Sequence, residues 1–182
     1  MIQFPPYEQM VTDLFKKDPD NIVMAIHAAI GIAGESGELR EANTYKNAIE
    51  EIGDFKFYTV AMRERLSPQA FGPGSNLREL SEVTQSKYND PDHATVVDNL
   101  HILSCQVLDI TKKSWVYGRE LKQLEIWCLL ELLDINLNYL VMEFYGTTWD
   151  HVLWENQNKL LGKRYTSGSY SDAQALARAD KT

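Results

Sequence analysis

Apolar residues recur at helical spacing along most of the chain, and few stretches alternate apolar and polar residues with a period of two. After Pro5 and Pro6, the segment YEQMVTDLFKK predicts a short first helix. A second helix is expected over about residues 21–44, and apolar residues on both sides of its first half predict that this half is buried. A third helix is expected over about residues 46–66. The short link between them predicts an antiparallel hairpin.

The composition changes after residue 66, where SPQAFGPGSN carries two prolines and two glycines and indicates a loop with room for one short helix beyond it. Helices then return over about residues 94–115, 120–145 and 148–161. The fold class is therefore predicted as all-α, a four-helix bundle with extra helices near its termini. The 182 residues are read as one domain, made of a first hairpin (about 21–66), a loop (67–93), a second hairpin (about 94–146) and a terminal helix and tail (147–182).

The two predicted hairpins share a short internal similarity. Glu51 and Asp54 in IEEIGDFKFYTV align with Glu131 and Asp134 in LLELLDINLNYL. Duplication of one hairpin would explain the alignment, and so would chance, because two amphipathic hairpins resemble each other by construction. When the alignment is extended to the preceding helix of each hairpin, Glu35 and Glu38 of the first hairpin correspond to about Leu103 and Gln106 of the second, which are uncharged.

Composition and charge exclude several classes of protein. The net charge of −8 and the pI of about 5.0 argue against a nucleic-acid coat protein, which needs a basic surface, but not against a nucleotide as a small substrate. Two cysteines give neither a disulfide framework nor zinc spacing, which favours a reducing, cytoplasmic setting. No signal peptide is expected at the start. Acids interrupt the longest apolar run, so no membrane partner is expected.

Two pairs of acidic residues are the candidate chemistry of the chain. Glu35 and Glu38 are three residues apart, as are Glu51 and Asp54, so each pair lies on one face of its helix. Antiparallel pairing of the two helices would let the four carboxylates converge. Such a set must take up protons, pair with cations or bind metal, and hard oxygen donors suit Mg²⁺ or Mn²⁺, as two or more ions. A solvated acidic stripe is the alternative.

Other kinds of site lack their sequence patterns. The pair Asp98 and His101 has the spacing of one half of a di-iron site, which needs two such motifs. The chain carries neither a phosphate-binding P-loop motif nor the glycine pattern of a dinucleotide-binding turn. Glu131 and Asp134 are expected to form hydrogen bonds within the fold rather than a second metal site.

The acid motifs and their context resemble a known family. Glu35-Ser-Gly-Glu38 within HAAIGIAGESGELREA and Glu51-Ile-Gly-Asp54 within IEEIGDFKFY are similar to the E-x-x-E and E-x-x-D motifs of the MazG-like all-α nucleoside triphosphate pyrophosphohydrolases, in particular phage-type members. The stretch ENQNKLLGKRYTSGSYSDAQALARAD resembles the closing part of the same family. The chain departs from the pattern where the family has a lysine pair after the first acid helix, since only Lys46 is near, and at Thr166, where the family has proline.

The resemblance implies a Mg²⁺- or Mn²⁺-dependent enzyme that hydrolyses a nucleoside triphosphate to the monophosphate and pyrophosphate. Glu38 and Glu35 would be catalytic, with Glu38 orienting or deprotonating the water, and Glu50 is an alternative metal ligand. The metal ligands would be Glu35, Glu38, Glu51 and Asp54. The substrate contacts would be Asn156, Lys159, Arg164 and Tyr165.

The resemblance also implies a substrate class and an assembly. A purine deoxynucleotide, dGTP first, is expected, because the nearest likeness is to phage enzymes that convert dGTP to dGMP; the location would then be the host cytoplasm. A homo-oligomer, either dimer or tetramer, is expected because such active sites are often built across subunits. The competing hypothesis is a non-catalytic helical bundle that binds nucleotide or serves in assembly.

Overall fold

The computed structural model describes residues 4–66 and 92–181, and throughout these ranges the regular structure is helical, without strands. This confirms the predicted all-α class. The predicted loop and its short helix fall at 67–91, outside the described residues. The helices are α1 (Tyr7–Leu14), α2 (Asn21–Glu41), α3 (Tyr45–Arg63), α4 (His93–Tyr117), α5 (Gln123–Tyr139), α6 (Trp149–Lys159) and α7 (Asp172–Ala177), with π-helical turns at Leu140–Phe144 and Leu160–Arg164 and a 3₁₀ turn at Ala179–Lys181.

Side-chain caps explain where several helices begin. The Asp20 carboxylate accepts a hydrogen bond from the backbone N–H of Ile22, and the Thr44 hydroxyl accepts one from Asn47. Asp92 caps α4 in the same way, so the second hairpin begins at His93 and the predicted loop ends earlier than residue 93. Thr44 also shortens α2 relative to the prediction, because α2 must end before the capped start of α3.

Together, α2 and α3 contact most of the other helices: α1, α4, α5 and α6. α2 contacts both α3 and α4, α5 packs on α4, and α6 packs on α3. Buried small residues on α2 let α4 and α3 approach closely, and branched residues fill the remaining space. The prediction that the first half of α2 is buried is wrong at Ile30, which is 56% exposed. The fully buried small and branched residues of α2 are Ala25, Ala28, Ala29 and Ile32.

α2 is also the one described helix with the length and apolar character that a membrane crossing needs. Its most apolar 18-residue window has a mean hydropathy of 1.3, and 44% of that window is buried inside the fold. The core helix of a water-soluble protein meets the same criterion, so the finding is weak evidence for a membrane span. The absence of a membrane partner stays a prediction.

The core makes a direct stability prediction. Leu133 on α5 is fully buried, so Leu133→Ala should lower the free energy of unfolding by roughly 2–5 kcal/mol through lost burial and a residual cavity. Leu176 on α7 is 85% exposed, and Leu176→Ala should change it by less than about 0.5 kcal/mol. Urea denaturation followed by circular dichroism measures both changes, and equal effects would contradict this assignment of the core.

Candidate metal centre

Three carboxylates converge where α2 packs against α3. Glu35 and Glu38 project from one face of α2, and Glu51 projects from the facing side of α3. One oxygen from each of the three lies within 4.8 Å of the others. Glu51 is only 9% exposed, Glu35 is partly buried, and Glu38 is exposed to solvent. The structure therefore brings together three of the four acids that the sequence singles out.

Negative charge outweighs positive charge among the described neighbours of the cluster. Burial, together with the charges of Asp54, Glu38 and Glu51, raises the pKa of Glu35 to about 8. Burial and the same kind of carboxylate repulsion also raise the pKa of Glu51. Within the described residues, no side chain donates a hydrogen bond to the three cluster carboxylates and no cation forms an ion pair with them. Among the described residues, the charge of Lys159 lowers the pKa values of Glu35 and Glu51, but burial and the neighbouring carboxylates outweigh it.

Asp54, the fourth predicted ligand, is held by other partners. Its Oδ1 accepts a hydrogen bond from Nδ2 of Asn156 at 2.7 Å, and its Oδ2 forms an ion pair with Lys159. The Lys159 ammonium also lies 2.9 Å from Oε1 of Glu50. Burial opposes the charge of Lys159, but Asp54 and Glu50 outweigh that effect and raise the Lys159 pKa. Asn156 and Lys159, which the resemblance predicts as substrate contacts, thus hold Asp54 beside the acid cluster.

A buried hydrogen-bond chain extends from Asp54 to the first helix. The Tyr7 hydroxyl donates to Oδ1 of Asn156 at 2.8 Å and lies 3.2 Å from the carbonyl oxygen of Gly53. With Oδ1 directed at Tyr7, the amide of Asn156 presents its Nδ2 to Asp54. Gly53 is required for this approach, because a β-carbon there would lie 2.9 Å from the Asn156 side chain. The role of Tyr7 could not be predicted from the sequence, because its partner Asn156 lies 149 residues away.

A pocket of about 300 Å³ opens beside the acids; charged residues line part of it, and six aromatic rings line another part, which gives the aromatic pocket its name. The rings of His27 and Phe15 stack with centroids 4.5 Å apart. Burial, and to a smaller extent the charge of Lys16, lowers the His27 pKa, which favours the neutral imidazole. Gly31 gives Tyr58 its place in this wall, because a β-carbon at Gly31 would lie 2.2 Å from the Tyr58 ring. These rings present flat apolar faces next to the carboxylate cluster.

The remaining predicted substrate residues lie at the same pocket. Arg164 and Tyr165 line it, immediately after the helix that carries Asn156 and Lys159. Arg164 donates from Nε and Nη2 to the two carboxylate oxygens of Asp180, at 2.6 and 2.5 Å. The Tyr165 ring lies 5.8 Å from the Tyr170 ring. All eight predicted site residues therefore lie in one region of the molecule.

The second acid pair has a different environment. Arg63 of α3 donates to Oε1 of Glu131 at 2.7 Å and to Oδ2 of Asp134 at 2.8 Å, and Lys56 contacts Oδ1 of Asp134 at 2.9 Å. The guanidinium of Arg63 also stacks over the Trp127 ring, 4.5 Å from its centroid. These ion pairs connect α5 to α3, as expected for acids with a role within the fold. In the described part of the chain, Glu35, Glu38 and Glu51 are the single group with the spacing of metal ligands.

Comparisons of the chain with protein-family models, with curated proteins and with solved structures found no match. Any statement about the family therefore rests on the acid motifs and on the geometry of the three-carboxylate cluster.

The cluster predicts how stability depends on pH without metal. The folded-state pKa of Glu35 lies above the ordinary carboxyl value, so the protonated form contributes stability at low pH that is lost as pH rises towards about 8. In EDTA, the wild type should lose roughly 1–3 kcal/mol more than Glu35→Gln between pH 5 and pH 9. Urea denaturation at both pH values measures the difference. The exposed change Glu41→Gln on the same helix is the control, and parallel pH profiles for all three proteins would contradict the prediction.

The hydrogen-bond chain from Tyr7 predicts a positioning effect. Tyr7→Phe removes the donor that orients Asn156, so the hydrogen bond from Asn156 to Asp54 weakens while the Lys159 ion pair remains. If the cluster binds Mn²⁺, its affinity should then fall roughly tenfold. Isothermal titration calorimetry measures the affinity. Tyr145→Phe, which removes a 2.8 Å hydrogen bond to His93 on another part of the molecule, is the matched control. Equal Mn²⁺ affinity in the two variants would show that the chain from Tyr7 does not act on the site.

Proposed function

We propose that this chain is a metal-dependent nucleoside triphosphate pyrophosphohydrolase of the MazG-like class. The observation that carries the proposal is the group of three carboxylate oxygens within 4.8 Å of one another on α2 and α3, beside an aromatic pocket. The packing of the second hairpin, mainly through α4, against α2 of the first hairpin supports a MazG-like four-helix bundle. The aligned acid pairs of the two hairpins are compatible with duplication.

The cluster fits a hard divalent cation. Octahedral Mg²⁺ has oxygen ligands at about 2.0–2.1 Å, so adjacent ligand oxygens are about 2.9 Å apart and opposite ones about 4 Å. The three carboxylate oxygens lie within 4.8 Å of one another, so they would have to move closer together by up to about 2 Å to share one ion. Oxygen-only ligands favour Mg²⁺ or Mn²⁺ over zinc. Glu35, Glu38 and Glu51 would hold the first ion, and Asp54 would join them if Lys159 moved away. The bound cation would supply positive charge that stabilises the phosphate oxygens in the transition state.

The carboxylates differ in the roles they can take. Glu38 is exposed at the mouth of the cluster, so its carboxylate can orient a water molecule and accept its proton as the water oxygen attacks phosphorus. Glu35 is more deeply placed and its carboxylate lies beside that of Glu38, so it is the second candidate for accepting that proton. The bond from the α-phosphorus to the bridging oxygen breaks, which releases pyrophosphate and the monophosphate.

The aromatic pocket would hold the base, and the cations near it would contact the phosphates. His27, Phe15 and Tyr58 offer stacking surfaces, and Arg164 is the cation whose planar fork matches phosphate oxygens. By resemblance we expect a purine deoxynucleotide, dGTP first, a homo-oligomer as dimer or tetramer, and a cytoplasmic location. No nucleic-acid or membrane partner is expected.

A non-catalytic helical bundle that binds nucleotide or serves in assembly is the second candidate. Two observations favour it: Asp54 is paired with Lys159, and Arg164 is paired with Asp180, so two groups that an enzyme would present to substrate are engaged within the chain. The exposed apolar side chains of α4 and α5, such as Ile102 and Leu124, also form a surface suited to assembly.

Turnover with metal distinguishes the two functions. Each dNTP and rNTP is incubated with Mg²⁺, Mn²⁺ or EDTA, and the products are resolved by ion-exchange chromatography. We expect monophosphate and pyrophosphate with metal only, and a loss of roughly 10²–10⁴-fold in kcat for Glu38→Gln. Glu131→Gln changes an acid of the second hairpin and should retain most activity. Absence of turnover on every nucleotide with metal would reject the enzyme and favour the binding bundle.

A further inference from the structure

A carboxylate from the chain itself occupies the guanidinium of Arg164. Both oxygens of Asp180, in the 3₁₀ turn Ala179–Lys181, accept hydrogen bonds from Nε and Nη2 of Arg164. The Asp180 side chain is fully covered, and that of Arg164 is 16% exposed. Burial would raise the Asp180 pKa, but hydrogen bonds and charge from Arg164, with a smaller effect of Lys159, hold it below its ordinary value. The ionised pair is therefore a buried, two-point contact.

The pair lies between two pockets. Arg164 lines the aromatic pocket that contains Glu35, Glu38 and Asp54. Asp180 lines a second pocket of about 240 Å³, which also includes Lys46, Lys159 and Lys163. Lys159 lies in this second pocket and contacts Asp54 of the first. Asp180 thus places a negative group among cations at the boundary of the acid cluster.

An arginine fork recognises a carboxylate and a phosphate by the same two-point geometry. We propose that Asp180 occupies the position of a phosphate group on Arg164, so that a pyrophosphate moiety, from substrate or product, binds only when it displaces Asp180. This inference rests on the proposed function, because it requires a polyphosphate to enter the pocket beside the acids. Asp180 then lowers the affinity for pyrophosphate and limits its retention after hydrolysis.

The surrounding segment allows Asp180 to leave without releasing its neighbours. α7 is attached separately, because Asp172 forms an ion pair with Lys16 at 2.8 Å and accepts a hydrogen bond from Tyr170 at 2.7 Å. Between α7 and the turn, Arg178 has a φ of 46°, in the left-handed region that a residue with a side chain adopts rarely. Rotation at this joint would move Asp180 while the contacts of Asp172 stay in place.

Affinity for inorganic pyrophosphate tests the proposal. Isothermal titration calorimetry with Mg²⁺ present compares the wild type with Asp180→Asn and with Asp172→Asn, which changes net charge equally and lies in the same segment. We expect Asp180→Asn to bind pyrophosphate roughly tenfold more tightly and Asp172→Asn to stay within about twofold of the wild type. Unchanged or weaker binding by Asp180→Asn, or no pyrophosphate binding by any of the three proteins, would overturn the proposal.

Hydrogen exchange on the wild type provides a test that does not depend on the folding of a variant. Pyrophosphate should speed amide exchange over residues 178–181 if it displaces Asp180, whereas slower or unchanged exchange would show that the Asp180 pair stays closed and would reject the proposal. Neither measurement needs turnover. If Asp180→Asn binds pyrophosphate more tightly but the protein hydrolyses no nucleotide, the hydrolase proposal is rejected and the displacement of Asp180 is kept. If the protein hydrolyses a nucleotide but Asp180→Asn binds pyrophosphate like the wild type, the displacement is rejected and the hydrolase is kept.

Discussion

Repulsion among Glu35, Glu38 and Glu51 is the constraint on which the candidate site depends. The packing of α2 on α3 holds their oxygens within 4.8 Å, and this packing is determined by apolar contacts such as those of Ile32 and Ile52. Apolar packing therefore holds the three carboxylates close together, and no hydrogen bond within the described residues relieves their repulsion. Burial and the neighbouring carboxylates raise the pKa values of Glu35 and Glu51, and the proposed function supposes that a bound cation offsets the same repulsion.

The other acids near the bundle show the contrast. Asp54 is compensated by Lys159, Asp134 by Arg63 and Lys56, and Asp180 by Arg164. Each cation lies on a different helix or turn from the acid that it pairs with, so each pair also connects two parts of the fold. These three acids each have a cationic partner, whereas no ion pair within the described residues involves the three-glutamate cluster. That difference gives the cluster more weight than an acidic stripe on an isolated helix would have.

Periodicity predicted the helices and the two acid pairs because both depend on neighbours three or four residues apart in the chain. The cap at Asp20 is local in the same sense. The partners of Asp54 and the role of Tyr7 could not be predicted, because Asn156 is 102 residues from the first and 149 from the second. Asp180 was part of a resembling segment, but its contact with Arg164 depends on how the chain returns after α7.

The two hairpins use the same acid spacing for opposite purposes. In the first hairpin, Glu51 faces Glu35 and Glu38, so the facing acids repel one another. In the second, Glu131 and Asp134 are neutralised by cations of α3, and they join the hairpins to each other. Had the second pair faced acids as well, the interface between α3 and α5 would carry uncompensated negative charge. The second acid pair therefore stabilises the contact between α3 and α5.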